Sequence, residues 1–279
     1  MQTNTDPTLV HHFLSYPYQP AHRYRSPLIM LAYIFMLPCI TFMPARPAYA
    51  SDLTSFYKSI APSGQIRTER REVTGFSGVA LAMSGRVEIK QGSAEGVTIE
   101  TDDNIIPLIQ TVIDDGILHI RWKSNGVRVD SHNLKINITV NAISINRLSV
   151  TGSGTLYAAQ LQTDRLAASM GGSGSIHLNA LKVKKLVADI GGSGSLIAQG
   201  SADIFLASIG GSGGMRCAGL QANDIKLSMA GSGNATVWAR DALAISMAGS
   251  GNVEYYGNAK VSTSKVGKGS VRRLGAEPR

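Results

Sequence analysis

Beyond residue 50 the chain has one cysteine, Cys217, so no internal disulfide can brace the domain that follows. Charged residues make up 16% of the sequence, against ~25% in an average soluble domain, and aromatic residues only 6%. The composition therefore lacks the charge density of a disordered polyelectrolyte. A helical period of 3.6 is missing downstream of residue 50, which excludes a bundle. Removing the three arginines and one aspartate of residues 1–50 from 27 basic and 19 acidic side chains leaves a net charge of +6. So slight an excess is poor support for a polyanion partner, and nucleic acid is not expected.

What is present begins with an apolar run, Leu28 to Met43, preceded by Arg23 and Arg25 and followed by Ala48-Tyr49-Ala50. That order of positive, apolar and small residues predicts a signal peptide over residues 1–50 with cleavage after Ala50. The rival reading is an uncleaved anchor. Pro38 interrupts the run, which is also shorter than the ~20 residues of a membrane span. After cleavage no spanning segment remains, and the location expected is the periplasm or the bacterial cell surface. Cys39 follows Leu37-Pro38 and lacks the small residue that precedes a lipidated cysteine.

Residues 51–68 are polar and aperiodic and read as a linker. From Glu69 to Ala142 the pattern is β-rich with period two. It predicts strands at Gly78 to Leu81, Arg86 to Gln91, Val97 to Thr101, Ile117 to Trp122 and Lys135 to Val140. Asp114-Asp115-Gly116 marks a hairpin turn between Ile105–Ile113 and Ile117–Trp122. Lys123 to Asn133 reads as a polar loop.

Residues 143–274 repeat. Gly-Ser-Gly stands at Gly152-Ser153-Gly154 and recurs with central serines at Ser173, Ser193, Ser212, Ser232 and Ser250; a decayed copy follows at Gly267-Lys268-Gly269. The intervals are 20, 20, 19, 20, 18 and 18 residues. Aligned on the central serine, the third residue before it is Val150, Met170, Ile190, Ile209, Met229 or Met247. The fifth before is Leu148, Ala168, Ala188, Ala207, Leu227 or Ile245, and the third after runs from Leu156 to Val271. Apolar odd offsets with polar even offsets mean strands on both sides of each triplet. A coil of 18–20 residues has no room for a return helix, so the fold expected is an all-β parallel β-solenoid of about seven coils, ~30–35 Å long. The glycines are expected to give a tight corner at positive φ, with the serine bonding to the next coil. Residues 275–279 form a tail.

Val73-Thr74-Gly75-Phe76-Ser77-Gly78-Val79, Arg86-Val87-Glu88-Ile89-Lys90-Gln91-Gly92, the Gly-Ser-Gly ladder and Gly251-Asn252-Val253-Glu254-Tyr255-Tyr256-Gly257-Asn258 together resemble the putative auto-transporter adhesin head GIN domain. The resemblance spans about Glu69 to Leu274. It implies an exported bacterial β-solenoid whose first half is continuous with the repeats, and it carries no catalytic residues over. Asn141-Ala142-Ile143 departs from the family pattern, which has a proline-containing bend there.

Chemistry-bearing motifs reduce to architecture. Gly210-Gly211-Ser212-Gly213-Gly214 matches the hydrolase elbow, which needs a following helix and a later histidine. No helical pattern follows Ser212, and the last histidine is His177. A calcium β-roll needs an aspartate two residues after the last glycine; Ile176, Leu196, Ala235 and Val253 stand there, with Ser175, Ser195, Asn234 and Asn252 before them. His119, His132 and His177 have no ligand spacing. Cys217 shares an inward column with Ala158, Leu178, Ala198 and Val237. Asp102-Asp103 and Asp114-Asp115 read as turns, and no acidic column suits a glycosidase. Catalytic, metal and cofactor residues are therefore expected to be none.

Two outward features remain. Ser149, Ser169, Asp189, Ser208, Ser228 and Ser246, flanked by Gly171, Gly191, Gly210, Ala230 and Ala248, make a flat face suited to a polysaccharide, to a second subunit or to solvent. Lys260, Lys265, Lys268, Arg272 and Arg273 crowd the last coil and read as protection of its edge. The function expected is a non-enzymatic, adhesin-like envelope protein binding a cell-surface glycan or another envelope component. The alternatives are a structural module that forms a homo-oligomer and, lowest, a carbohydrate-active enzyme.

Overall fold

The computed structural model describes residues 59–124, 128–130 and 134–278. The expected signal peptide, residues 51–58 and His132 lie outside them. From Arg147 onward the chain winds as a parallel β-solenoid of about six turns. Seven corners enclose six turns, which accounts for the difference from seven coils. Strands Leu161–Met170, Ser175–Ile190, Ser195–Gly211, Gly214–Gly231 and Asn234–Gly249 each pair in parallel with the next. Each coil has a leading strand before the Gly-Ser-Gly corner, a trailing strand after it, and a return side that completes the loop.

Register turns the sequence columns into stacks. Leu148 pairs with Ala168, which pairs with Ala188, Ala207, Leu227 and Ile245 in succession. These residues, the Val150-to-Met247 column and the Leu156-to-Val253 column are all buried. The core is thus a narrow column of Leu, Ile, Val, Met and Ala, sealed along its length by interstrand hydrogen bonds.

The corner glycines are required by stacking more than by backbone conformation. Gly211, Gly231, Gly249 and Gly267 do have φ between +109° and +145°, but Gly152, Gly172 and Gly192 do not, nor does the last glycine of any triplet. A Cβ on Gly172 would sit 2.5 Å from the Gly152 carbonyl oxygen, and one on Gly192 would sit 2.6 Å from that of Gly172. The expected serine bond also takes a different form. Ser193, Ser212, Ser232 and Ser250 donate their backbone N–H to Gly172, Gly192, Gly211 and Gly231 at 3.0–3.2 Å, while their side chains are exposed. A side chain is admitted only at the middle position because it alone points away from the neighbouring coil.

The first half folds onto this stack. Gly78–Leu81 and Arg86–Gln91 flank Met83-Ser84-Gly85, an eroded corner that lies against Gly152-Ser153-Gly154. Leu81 pairs with Val150, and Val87 pairs with Leu156. Ile117–Trp122 and Asn137–Ala142 stack on the other side of those strands. The antiparallel strand Gly96–Asp102 then lies across Asn137–Ala142 and closes the end, with Val97 and Ile99 buried. The hairpin turn is at Asp115-Gly116, both at positive φ as a type I′ turn requires. Its first strand starts at Ile109, because Ile106–Leu108 forms a 3₁₀ turn around Pro107.

Part of the segment expected as a linker is structured. Ser59–Ile60 pairs with Arg128–Val129 inside the expected polar loop, and Ile66–Arg71 pairs antiparallel with Gly96–Asp102. Ile66–Arg71 is exposed on both faces apart from Arg71, so it carries no apolar alternation to read. Its ladder and the Arg71 guanidinium hold it; the latter donates to the Ile109 and Ile106 carbonyls at 2.8 and 3.2 Å. The charged side chains suit an edge strand that must not recruit another chain.

Candidate functional site

The residues singled out for chemistry are dispersed or buried. Cys217 is fully buried, and burial pushes its thiol up to about 12, against which a bond from the Ala198 backbone acts only partly. Ser212 is exposed at its corner and is followed by strand Gly214–Gly231 instead of a helix. Among the described residues no three His, Cys, Asp or Glu side chains are grouped to hold a metal ion.

The outward surface has three sides. The leading face carries the serine column; Ser169 Oγ donates to Ser149 Oγ at 3.3 Å, and the glycines and alanines beside it are exposed. The trailing face carries polar side chains directly after the corner glycines, one residue before the position a calcium roll would fill with aspartate. Thr155 and Ser175 hydroxyls lie 3.1 Å apart, Asn252 donates to Asn234 at 3.1 Å, and Ser270 donates to Asn252 at 2.7 Å. Higher on this face the Arg86 guanidinium lies 4.8 Å from the centre of the Tyr157 ring, whose hydroxyl accepts from Asn179 at 2.9 Å. His177, next in that column, has its pKa lowered by partial burial and then by the charges of Arg216 and Arg86.

The return side holds what the sequence alignment did not show. Gln162 pairs with Lys182, Lys182 with Ser201, Ser201 with Gln221, Gln221 with Trp238 and Trp238 with Tyr256. Inward neighbours along the same strands, such as Ala202, Ala222 and Ala239, are buried, so the column faces outward. Shallow grooves of about 480 Å³ and 450 Å³ run beside its first half, and a smaller one of about 150 Å³ beside Gln221 and Trp238. Gln91 extends the ladder at the upper end. Its amide donates to Gln162 O at 2.9 Å and accepts from Gln162 N at 2.8 Å, replacing a backbone pair.

These residues stand nine, nine, eight, nine, six and six positions after their central serines. Every register shift between the stacked repeats falls on the return side, at Leu178/Leu181, Ile197/Gln199, Cys217/Gln221, Ala222/Asp224 and Tyr255/Tyr256. A fixed offset from the triplet therefore cannot find the column.

The sequence matches the family described as "Putative auto-transporter adhesin, head GIN domain" over residues 75–259. The chain belongs to that family. This GIN domain is similar in structure to a putative adhesin from Bacteroides fragilis, with a TM-score of 0.71 and 26% identity, covering 77% of this chain and 100% of that one. A putative lipid binding protein from Parabacteroides distasonis shares the fold at a TM-score of 0.65 and 22% identity, covering 78% of this chain and 100% of the other. A putative adhesin from Parabacteroides merdae does so at 0.60 and 23%, covering 77% and 99%. No curated protein matches the sequence. The adhesins among these neighbours are named for attachment and not for a reaction, and among the described residues no helix is long and apolar enough to cross a membrane.

Proposed function

We propose that this GIN domain is a non-enzymatic, exported binding module of the bacterial envelope, adhesin-like in role. The observation that carries the reading is the register-locked outer surface. Columns of polar side chains repeat at the ~4.8 Å strand spacing over several coils, a geometry suited to an extended partner lying along the rod. Among the described residues, the titratable side chains singled out from the sequence form no group of three that could hold a metal ion, which fits attachment better than metal-assisted turnover. Membership of the adhesin family and the Bacteroides fragilis neighbour support the same reading.

The test is binding of the mature protein to whole bacterial and host cells and to a glycan array. Saturable binding to either is expected, and its absence from both refutes the proposal. Export is tested separately: fractionation should place a product beginning at Ser51 outside the cytoplasm, whereas a cytoplasmic full-length chain overturns it.

A further inference from the structure

We propose that the return-side column from Gln162 to Tyr256 is a binding site for a neutral oligosaccharide chain lying parallel to the solenoid axis. This deepens the attachment reading above and rests on it. Five register steps separate Gln162 from Tyr256, so the column is ~24 Å long. A single sugar is far smaller; an extended chain of several sugars fits that length.

The chemistry changes in order along the column. Its upper part presents the Gln162 amide, the Lys182 ammonium, the Ser201 hydroxyl and the Gln221 amide, which donate to and accept from sugar hydroxyls. Its lower part presents Trp238 and Tyr256 on adjacent coils, both half-buried. Aromatic rings with a polar tip suit the C–H faces of a pyranose while the sugar's hydroxyls stay wet. Trp238 and Tyr256 are thus placed as a stacking platform, and the amide end sets the direction of the chain.

Charge selects a neutral ligand. Lys184 is held by Asp164 at 2.9 Å, and Arg240 makes two bonds to Asp241 at 3.1 and 3.0 Å. Lys182 and Asp203 line the same groove with opposite sign. On the coil stacked against Tyr256, Arg272 pairs with Glu254, Arg273 donates to the Gly257 carbonyl and to Asn258, and Lys265 donates to the Gly269 carbonyl, so these basic groups are engaged within the protein.

The experiment titrates the mature protein with cello-, xylo- and manno-hexasaccharides and, as anionic comparators, with hexasaccharides of galacturonate and of heparin. Trp122→Phe leaves Trp238 as the one indole of the chain, so its fluorescence reports the platform directly. A parallel mobility assay in glycan-containing gels needs no substitution. A neutral hexasaccharide is expected to change Trp238 emission, with Tyr256→Ala weakening binding ~10-fold or more. Ser201→Arg places a long side chain at an exposed position in mid-column and should abolish binding without disturbing the core. Ser208→Arg, on the leading face, should change nothing.

Preference for the galacturonate or heparin probe overturns the neutral assignment. Cell or array binding that survives Ser201→Arg but is lost in Ser208→Arg overturns the site while the attachment reading stands. Cell binding blocked by Ser201→Arg with no response to any sugar overturns the carbohydrate class. Failure to bind any cell or glycan removes the attachment reading itself.

Discussion

Replacing Gly213 with alanine tests whether the corners are governed by carbonyl stacking. Gly213 is buried and outside the positive-φ set, so alanine meets no backbone prohibition there. Its Cβ would lie 2.5 Å from Ile190 Cγ2, 2.7 Å from the Gly194 oxygen and 3.1 Å from the Gly192 oxygen. Those oxygens belong to the ladder of the preceding coil, where Gly192 O and Gly194 O accept from Ser212 N and Gly214 N at 3.2 and 3.0 Å. Relief must move a strand. Overpacking of this kind costs ~1–3 kcal/mol, and the unfolded-chain entropy that alanine removes returns only ~0.4–1 kcal/mol. At ~2–4 °C per kcal/mol for a domain of this size, Tm should fall by a few degrees, up to ~10 °C. Gly210→Ala is the control three residues away. Its Cβ would meet nothing nearer than 3.9 Å, and Ala230 and Ala248 already occupy the same column. It should leave Tm unchanged or raise it by ~1–4 °C. Far-UV circular dichroism gives both midpoints, and hydrogen exchange at Ser212 N and Gly214 N shows whether the loss is local to the corner. A Gly213→Ala protein as stable as the parent, or a Gly210→Ala protein equally damaged, refutes the stacking account.

Other outcomes follow from particular side chains. Cys217 should resist maleimide in the native state at pH 8 and react fully after unfolding; because its thiol is raised, its contribution to stability should fall as pH rises above the unfolded value of ~8.5. Rapid native labelling would refute the buried assignment. His177 has a lowered pKa, so the unfolded chain binds its proton first; between pH 8 and pH 5 the parent should lose urea stability relative to His177→Gln, and an equal loss in both refutes the shift. In the last described coil, Lys265 occupies the inward column of Met247 and reaches the Gly269 carbonyl at 2.8 Å, while Arg273 donates to Gly257 O at 2.9 Å. Lys265→Val with Arg273→Leu should therefore produce concentration-dependent association in light scattering, and a protein still monodisperse counts against edge protection. If the leading face forms a homo-oligomer, Ser169→Arg, Ser208→Arg and Ser228→Arg together should lower the solution mass; an unchanged monomer sinks that alternative.

Much of the fold was legible because burial and repetition both act through short-range periodicity. Alternation around each triplet placed Met170, Ile190 and Cys217 inside and Ser169 and Ser208 outside, and these residues lie there. Strands Gly78–Leu81, Arg86–Gln91 and Ile117–Trp122 were readable from the same alternation. Ile66–Arg71 was not, because a strand exposed on both faces leaves no apolar signature and is held by backbone pairing and Arg71. Met83-Ser84-Gly85 escaped because methionine replaces the first glycine of the triplet, so the Gly-Ser-Gly pattern does not match there.

By itself the sequence determined the coil, its period, its core columns and the corner that repeats, since each follows from a constant spacing to Gly-Ser-Gly. Only the tertiary structure decided how the coils meet on the return side. There the chain gains and loses residues between repeats, and hydrogen-bonded register, not count along the chain, brings Gln162, Lys182, Ser201, Gln221, Trp238 and Tyr256 into one line. The corner tolerates no change of length because its carbonyls stack on one another, so variation collects on the side that can bulge, and the candidate site lies on that side.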